Sequence, residues 1–337
     1  MQELFERGIF LLSIDTEQIW GYRDFLSEAQ FRKRFPDALG VHEKLLRYIR
    51  AAGVSATWFL VGGMTLRECA GAHDPRLAGL PPDWTSGIPE GSEGEEPLWY
   101  HPSFIQRLRF AFPLQEVGLH GGLTHLIWTA AHATREVVRR ELAEGCRALG
   151  QMAVPPRSFS FARNQEAHLD LLPETGIYCY RGRPPALAWQ LGSTLSGALL
   201  RVADELLCTS PPVVWPRETI PGLWSIPASL FLYPIGPART KITGLRSRLE
   251  RFRRGLQAAA RHRGIFHFCL HPENLAESRH GFALLEDILD LLGRARHRGD
   301  VEILTMSDVV ARMERTQSYA PQTMQSHSQL FKADWRS

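Results

Sequence analysis

The chain has 337 residues, enough for one large α/β unit or two smaller domains. Hydrophobic residues make up 44% and charged residues 22%, a balance that excludes a disordered, collagenous or coiled-coil chain. The 39 basic residues against 36 acidic ones leave +3, too weak a field to imply nucleic acid by itself, and no apolar run reaches the ~20 residues of a membrane span.

The first apolar run, 9–14, follows Glu3 and Glu6 and runs straight into Asp15 and Glu17. It is too short and lacks the cationic lead of a signal peptide, so it reads as a strand and the chain is expected in the cytoplasm. Leu45, Leu46 and Ile49 share a helical face that stops at Gly53, and 56–61 reads as a second strand. Residues 71–97, rich in Gly, Pro and acids, are expected to form a long surface excursion. A strand at 116–119 is followed by a helix that Thr134 caps and Gly150 ends. Strands at 158–161 and 177–180 come next, and then 184–237, punctuated by Pro and Trp, reads as a second irregular insertion.

Between 239 and 263, Arg246, Arg248, Arg251, Arg253 and Arg254 crowd a segment where Leu245, Leu249, Phe252 and Leu256 recur at helical spacing. That pattern reads as an outer helix with its apolar stripe on a sheet, and no nucleic acid is expected. Its alternative is an anionic partner, a phosphate-linked sugar or peripheral contact with a membrane surface. Strands at 265–270 and 301–304 flank a helix carrying Phe282, Leu285, Ile288, Leu289 and Leu292, and 313–337 reads as a flexible tail. Five cysteines (Cys69, Cys146, Cys179, Cys208 and Cys269), odd in number and with no CxxC pair, are expected as buried apolar side chains in a reducing compartment. Seven strands apolar on both faces, alternating with helices, predict a parallel α/β barrel over 8–312 as a single domain.

Active groups in such folds sit at the C-terminal ends of strands. There the sequence places Asp15, Thr16 and Glu17; then His120, Gly121, Gly122 and His125; then Arg163, Asn164 and Gln165; and last His271. A carboxylate with two histidines is a divalent-metal set, and the remaining carboxylate, histidine and arginine suffice for base, acid and tuning roles. His101, His132 and His262 read as structural.

The order of Asp-x-Glu after the first strand, His…His after the third, Phe-Ala-Arg-Asn-Gln and Leu-His-Pro resembles the polysaccharide deacetylases of the NodB-homology type. The resemblance implies a distorted (β/α)7 barrel, one divalent metal ion, most commonly zinc, and removal of an N-acetyl group from an amino sugar of a polysaccharide or its precursor. By position it makes Asp15 the general base, Arg163 the residue that supports the base, and His271 the general acid. Glu17, His120 and His125 become the metal ligands, with Thr16 or Asp15 as replacements for Glu17. Two features depart from the family pattern: Thr16 stands where a second aspartate is common, and the histidines lie five apart rather than four.

Two other functions compete. A two-histidine, one-carboxylate iron oxygenase uses the same ligand types but is usually all-β. A non-catalytic sugar-binding relative would use Trp99, Tyr100, Trp128, Trp215 and Trp224 to stack on sugar rings. A hydrolase of another amide or a cyclic imide needs the same catalytic groups and remains a third possibility.

Overall fold

The structure is a computed structural model that describes residues 5–185, 195–207, 213–233, 244–277 and 280–319. Its strands are β1 (Gly8–Thr16), β2 (Thr57–Leu60), β3 (Glu68–Ala70), β4 (Glu90–Ser92), β5 (Glu116–His120), β6 (Ser158–Ser160), β7 (Cys179–Gly182), β8 (Arg217–Ile220), β9 (Leu223–Pro227), β10 (Leu230–Leu232), β11 (Ile265–Leu270) and β12 (Val301–Leu304). The main sheet runs β10-β11-β1-β2-β5-β6-β7-β9-β8, with β12 added beside β1. Every pairing in it is parallel except β8 with β9, so the sheet curls into a half-barrel with helices around it. This is the distorted (β/α)7 barrel expected from the sequence, and all seven expected strands are present.

β1 shows why the runs are apolar on both faces. All nine of its residues are buried, and it has neighbours on each side. β11 pairs with it from Ile9 to Ile14. On the other side two strands share it: β12 takes Gly8–Leu11, and β2 takes Ser13–Thr16. β12 is thus wedged against the lower half of β1, off the main order of strands.

Outer helices cover the sheet with the expected stripes. Leu45, Leu46 and Ile49 of the helix Ala38–Ala51 are buried, and Gly53 beyond it adopts φ +65°. Thr134 caps the helix Arg135–Gln151 by accepting from the Val137 amide. In the helix Leu245–His262, Phe252 and Leu256 face inward and most of its arginines face solvent, but Arg248 and Arg251 are buried. Arg248 donates to the Tyr233 carbonyl and Arg251 pairs with Asp204. This is the expected outer helix.

Three readings need correction. Residues 71–97 do not simply run over the surface. They carry three short helical turns and β4, which pairs with β3 just before them, and they bury Leu77, Leu80 and Ile88 in a second apolar cluster with Trp20, Phe31 and Phe35. Isolated apolar residues in a Pro/Gly-rich segment have no period for a sequence pattern to detect, yet each is anchored. Residues 184–237 are not irregular throughout either, for they contain the helix Leu195–Leu207 and the strands β8, β9 and β10. Strands of three to five residues are too short to show alternation. The helix Met306–Tyr319 continues past the expected tail boundary at 313, because Val309, Val310 and Met313 pack one face of it. Residues 320–337 and Cys208 lie outside the described residues. Cys69, Cys179 and Cys269 are buried free thiols and Cys146 is half-buried.

Candidate active site

The C-terminal ends of β1, β5, β7 and β11 and the turn after β6 converge on a cavity of about 360 Å3 lined by Asp15, Glu17, His120, Arg163, Arg181 and His271, among others. Asp15 is still on β1, but Glu17 lies past its end, where extended alternation no longer applies. The chain turns at Gln18 (φ +47°) into a 3-10 turn, Gln18–Gly21, that folds the Glu17 carboxylate back over the site. Gly21 makes room for it, since a Cβ there would come within 1.7 Å of Glu17 Oε2. Thr16 Oγ1 is buried with no hydrogen-bond partner among the described residues.

His120 is the last residue of β5, and the extra residue before His125 is absorbed at Gly121, which adopts φ +78°. A side chain there would strain the turn, and its Cβ would press within 2.9 Å of the Thr124 carbonyl. Thr124 is held from two directions. Its amide and hydroxyl both donate to the buried Glu141 carboxyl, at 2.7 and 2.6 Å. Trp84, from the 71–97 segment, donates its indole N–H to the Thr124 hydroxyl.

This framework brings three ligand atoms together. Glu17 Oε1 lies 2.5 Å from His120 Nε2 and 3.5 Å from His125 Nε2, and the two imidazole nitrogens are 3.3 Å apart. His120 donates its Nδ1–H to the Ser160 carbonyl at 2.9 Å, which turns the Nε2 lone pair toward the cluster. Burial drives His125 toward the neutral form. Burial opposes ionisation of Glu17, but His271, His125 and His120 outweigh it and hold the carboxyl well below its usual range. Two imidazole nitrogens and one carboxylate oxygen, close enough to touch a common ion and fixed from behind, fit a divalent metal. Asp15, Glu17 and His271 form a second cluster within similar distances. Both Asp15 oxygens there are already engaged by a guanidinium, so the histidine cluster is the better donor set.

That guanidinium belongs to Arg181, not Arg163. Arg181 donates to both oxygens of Asp15, at 2.7 and 2.6 Å, and both side chains are buried. Burial tends to raise the Asp15 carboxyl, but Arg181, His120 and His271 hold it below the usual value. Arg163 instead donates to Asp24 and to the Gly21 carbonyl at the pocket rim, and its guanidinium lies over Phe25. The sequence reading stopped the strand at 180, one residue short of Arg181. A lone cation at the end of an apolar run was the available signal.

His271 stands beside both carboxylates, with Nε2 3.4 Å from Asp15 Oδ2 and Nδ1 3.7 Å from Glu17 Oε2. Its ring packs edge-on against Phe231. Trp99, Tyr100 and Trp128 are buried in the apolar clusters, so they are packing residues and do not form a sugar platform. Trp215 and Trp224 are half-buried. His101 bonds Gln18, as expected of a structural histidine.

The fold is a curled parallel half-barrel with a His-His-carboxylate cluster at its C-terminal rim. No family model and no curated sequence matches the chain. Among solved structures, a protein of Mycobacterium smegmatis described as a putative polysaccharide deacetylase aligns over 94% of this chain and 93% of its own, at 17% identity and TM-score 0.59. One from Pseudomonas aeruginosa PAO1 covers 91% of each chain at 11% identity, TM-score 0.54. PuuE allantoinase covers 92% of this chain and 91% of its own at 11% identity, TM-score 0.55. At these identities the likeness is one of fold.

Proposed function

We propose that the protein is a metal-dependent amide hydrolase that removes an N-acyl group, in the first place acetyl, from an amino sugar of a polysaccharide or its precursor. The observation that carries this reading is one pocket in which Glu17, His120 and His125 come within reach of a common ion, while Asp15 is held by Arg181 and His271 stands beside both carboxylates. A divalent ion held by the three ligands, zinc being the expected one, would polarise the amide carbonyl and make its bound water acidic. Asp15, kept ionised by Arg181, accepts the proton of the attacking water. His271 donates a proton to the nitrogen as the C–N bond breaks, since an amine leaves only when protonated. Arg163 is a rim residue in this scheme and contacts substrate rather than the base.

The test is acetate release from N-acetylhexosamine oligomers and from nucleotide-linked N-acetyl sugars, with metal-loaded and chelated protein. Metal-dependent release supports the proposal. If no amide substrate is hydrolysed by metal-loaded protein, the sugar-binding reading takes its place. A cyclic amide is the second substrate class to screen, because an allantoinase shares the fold and the catalytic groups require only a C–N bond beside a carbonyl.

A further inference from the structure

At the end of the barrel opposite the pocket, residues 110–114 join the helix Pro102–Arg109 to β5. Phe110, Phe112 and Leu114 alternate outward at 74%, 81% and 74% exposure, while Ala111 between the first two is buried. They are the three most exposed large apolar side chains among the described residues. A row of this kind, solvated at full cost, marks a contact surface.

Two arginines touch the row and others lie beyond it. The Arg109 guanidinium lies 4.9 Å from the centre of the Phe110 ring. Arg50 donates to the Phe112 carbonyl at 3.2 Å, and Arg296 donates to the carbonyl of Gly53, just past the helix that carries Arg50. These three cations bond backbone carbonyls and an aromatic face, and none of them forms an ion pair among the described residues. Beyond them on the same rim, Arg7 lies beside Gly299, and Arg298 is paired with Asp300.

The occupant has to accept apolar side chains and offer negative charge around them. A second copy of this chain would set arginine against arginine. An anionic bilayer meets both demands at once: phenyl and leucyl side chains enter the boundary between headgroups and acyl chains, and guanidiniums lie on the phosphates around them. We propose that this end of the barrel docks on an anionic lipid surface through Phe110, Phe112 and Leu114, with Arg50, Arg109 and Arg296 contacting the headgroups. The pocket then opens away from the bilayer. The surface is independent of the catalytic reading and stands or falls separately.

Co-sedimentation of the full chain with phosphatidylcholine vesicles, with and without phosphatidylglycerol, tests it. Binding is expected only with the anionic lipid and should fade as salt shortens the screening length from ~10 Å at 0.1 M to ~3 Å at 1 M. Changing Phe110, Phe112 and Leu114 together to Ser should weaken partitioning on the order of tenfold or more without lowering the melting temperature. Arg50→Gln and Arg109→Gln should each weaken it about fivefold. No binding to anionic vesicles, or binding that survives the triple substitution, overturns the proposal. Binding to polyglutamate but not to vesicles also overturns it and points to an acidic protein instead.

Discussion

Asp15 and Glu17 are separated by one residue and share His271 as a neighbour, but their shortest side-chain bonds go to different partners. Asp15 faces a permanent cation and Glu17 faces imidazoles. Replacing Asp15 with Asn keeps the shape but removes the proton acceptor, and kcat/KM should fall on the order of 10²-fold or more with metal content unchanged. Near-normal turnover would move the base to Glu17. Arg181→Gln tests the partner that the sequence reading missed. The arginine favours the ionised carboxylate, so without it the Asp15 carboxyl titrates higher. The acidic limb of the pH–rate profile should move to higher pH, with activity lost most at acid pH. An unmoved limb would remove Arg181 from the scheme. Asp15, His120 and His271 were legible because each stands at or next to the end of an apolar strand run, and His125 because it follows His120 at close spacing. Glu17 was legible by type alone, since its reach depends on the turn at Gln18.

At the level of elements, the helix Arg135–Gln151 does more than cover the sheet. Its Glu141 is buried and holds Thr124, the neighbour of His125. Burial pushes the Glu141 carboxyl up to about 7 from 4.5, although the bonds from Thr124 pull the other way. The folded state therefore binds this proton more tightly than the unfolded chain does. The resulting stabilisation is complete below about 4.5 and is lost as pH rises through about 7. Melting temperature measured across that window should fall less in Glu141→Gln than in the parent; an identical slope would count against the assignment. Glu141→Ala leaves two buried donors unpaired, at about 1–3 kcal/mol each, and should weaken metal retention about 10- to 100-fold. The sequence showed this helix, its Thr134 cap and its apolar stripe, but not the tertiary contact. Trp84 reaches the same threonine from a segment that the sequence presents only as Pro/Gly-rich chain.

For the whole molecule, alternation of strands and helices was enough to predict the barrel class. It could not show where the last strand lies or that β8 runs antiparallel at one edge, because register and pairing are set by contacts far apart in sequence. The candidate metal site joins β1 to β5, which lets one ion tie distant parts of the chain together. Chelation should lower the melting temperature, since saturation at 100 times Kd is worth about 2.7 kcal/mol. His120→Ala and His125→Ala should melt near the chelated value and no longer respond to metal. Full metal occupancy in either variant would refute the ligand assignment.

The wedge of β12 against β1 also governs the order in which the protein can be made. Gly8 to Leu11 leave the ribosome roughly 290 residues ahead of their partners Val301 to Leu304. At ~5–20 residues per second, the lower half of β1 waits tens of seconds, with both flanks unpaired until β11 emerges and one flank still open until β12 follows. Strand edges left open in this way invite pairing with other chains. Stalled nascent chains that stop short of Val301 should therefore remain protease-sensitive around β1, and those extending past Leu304 should become resistant. The lower half of the first strand is thus completed on its second flank by the last strand of the sheet to arrive.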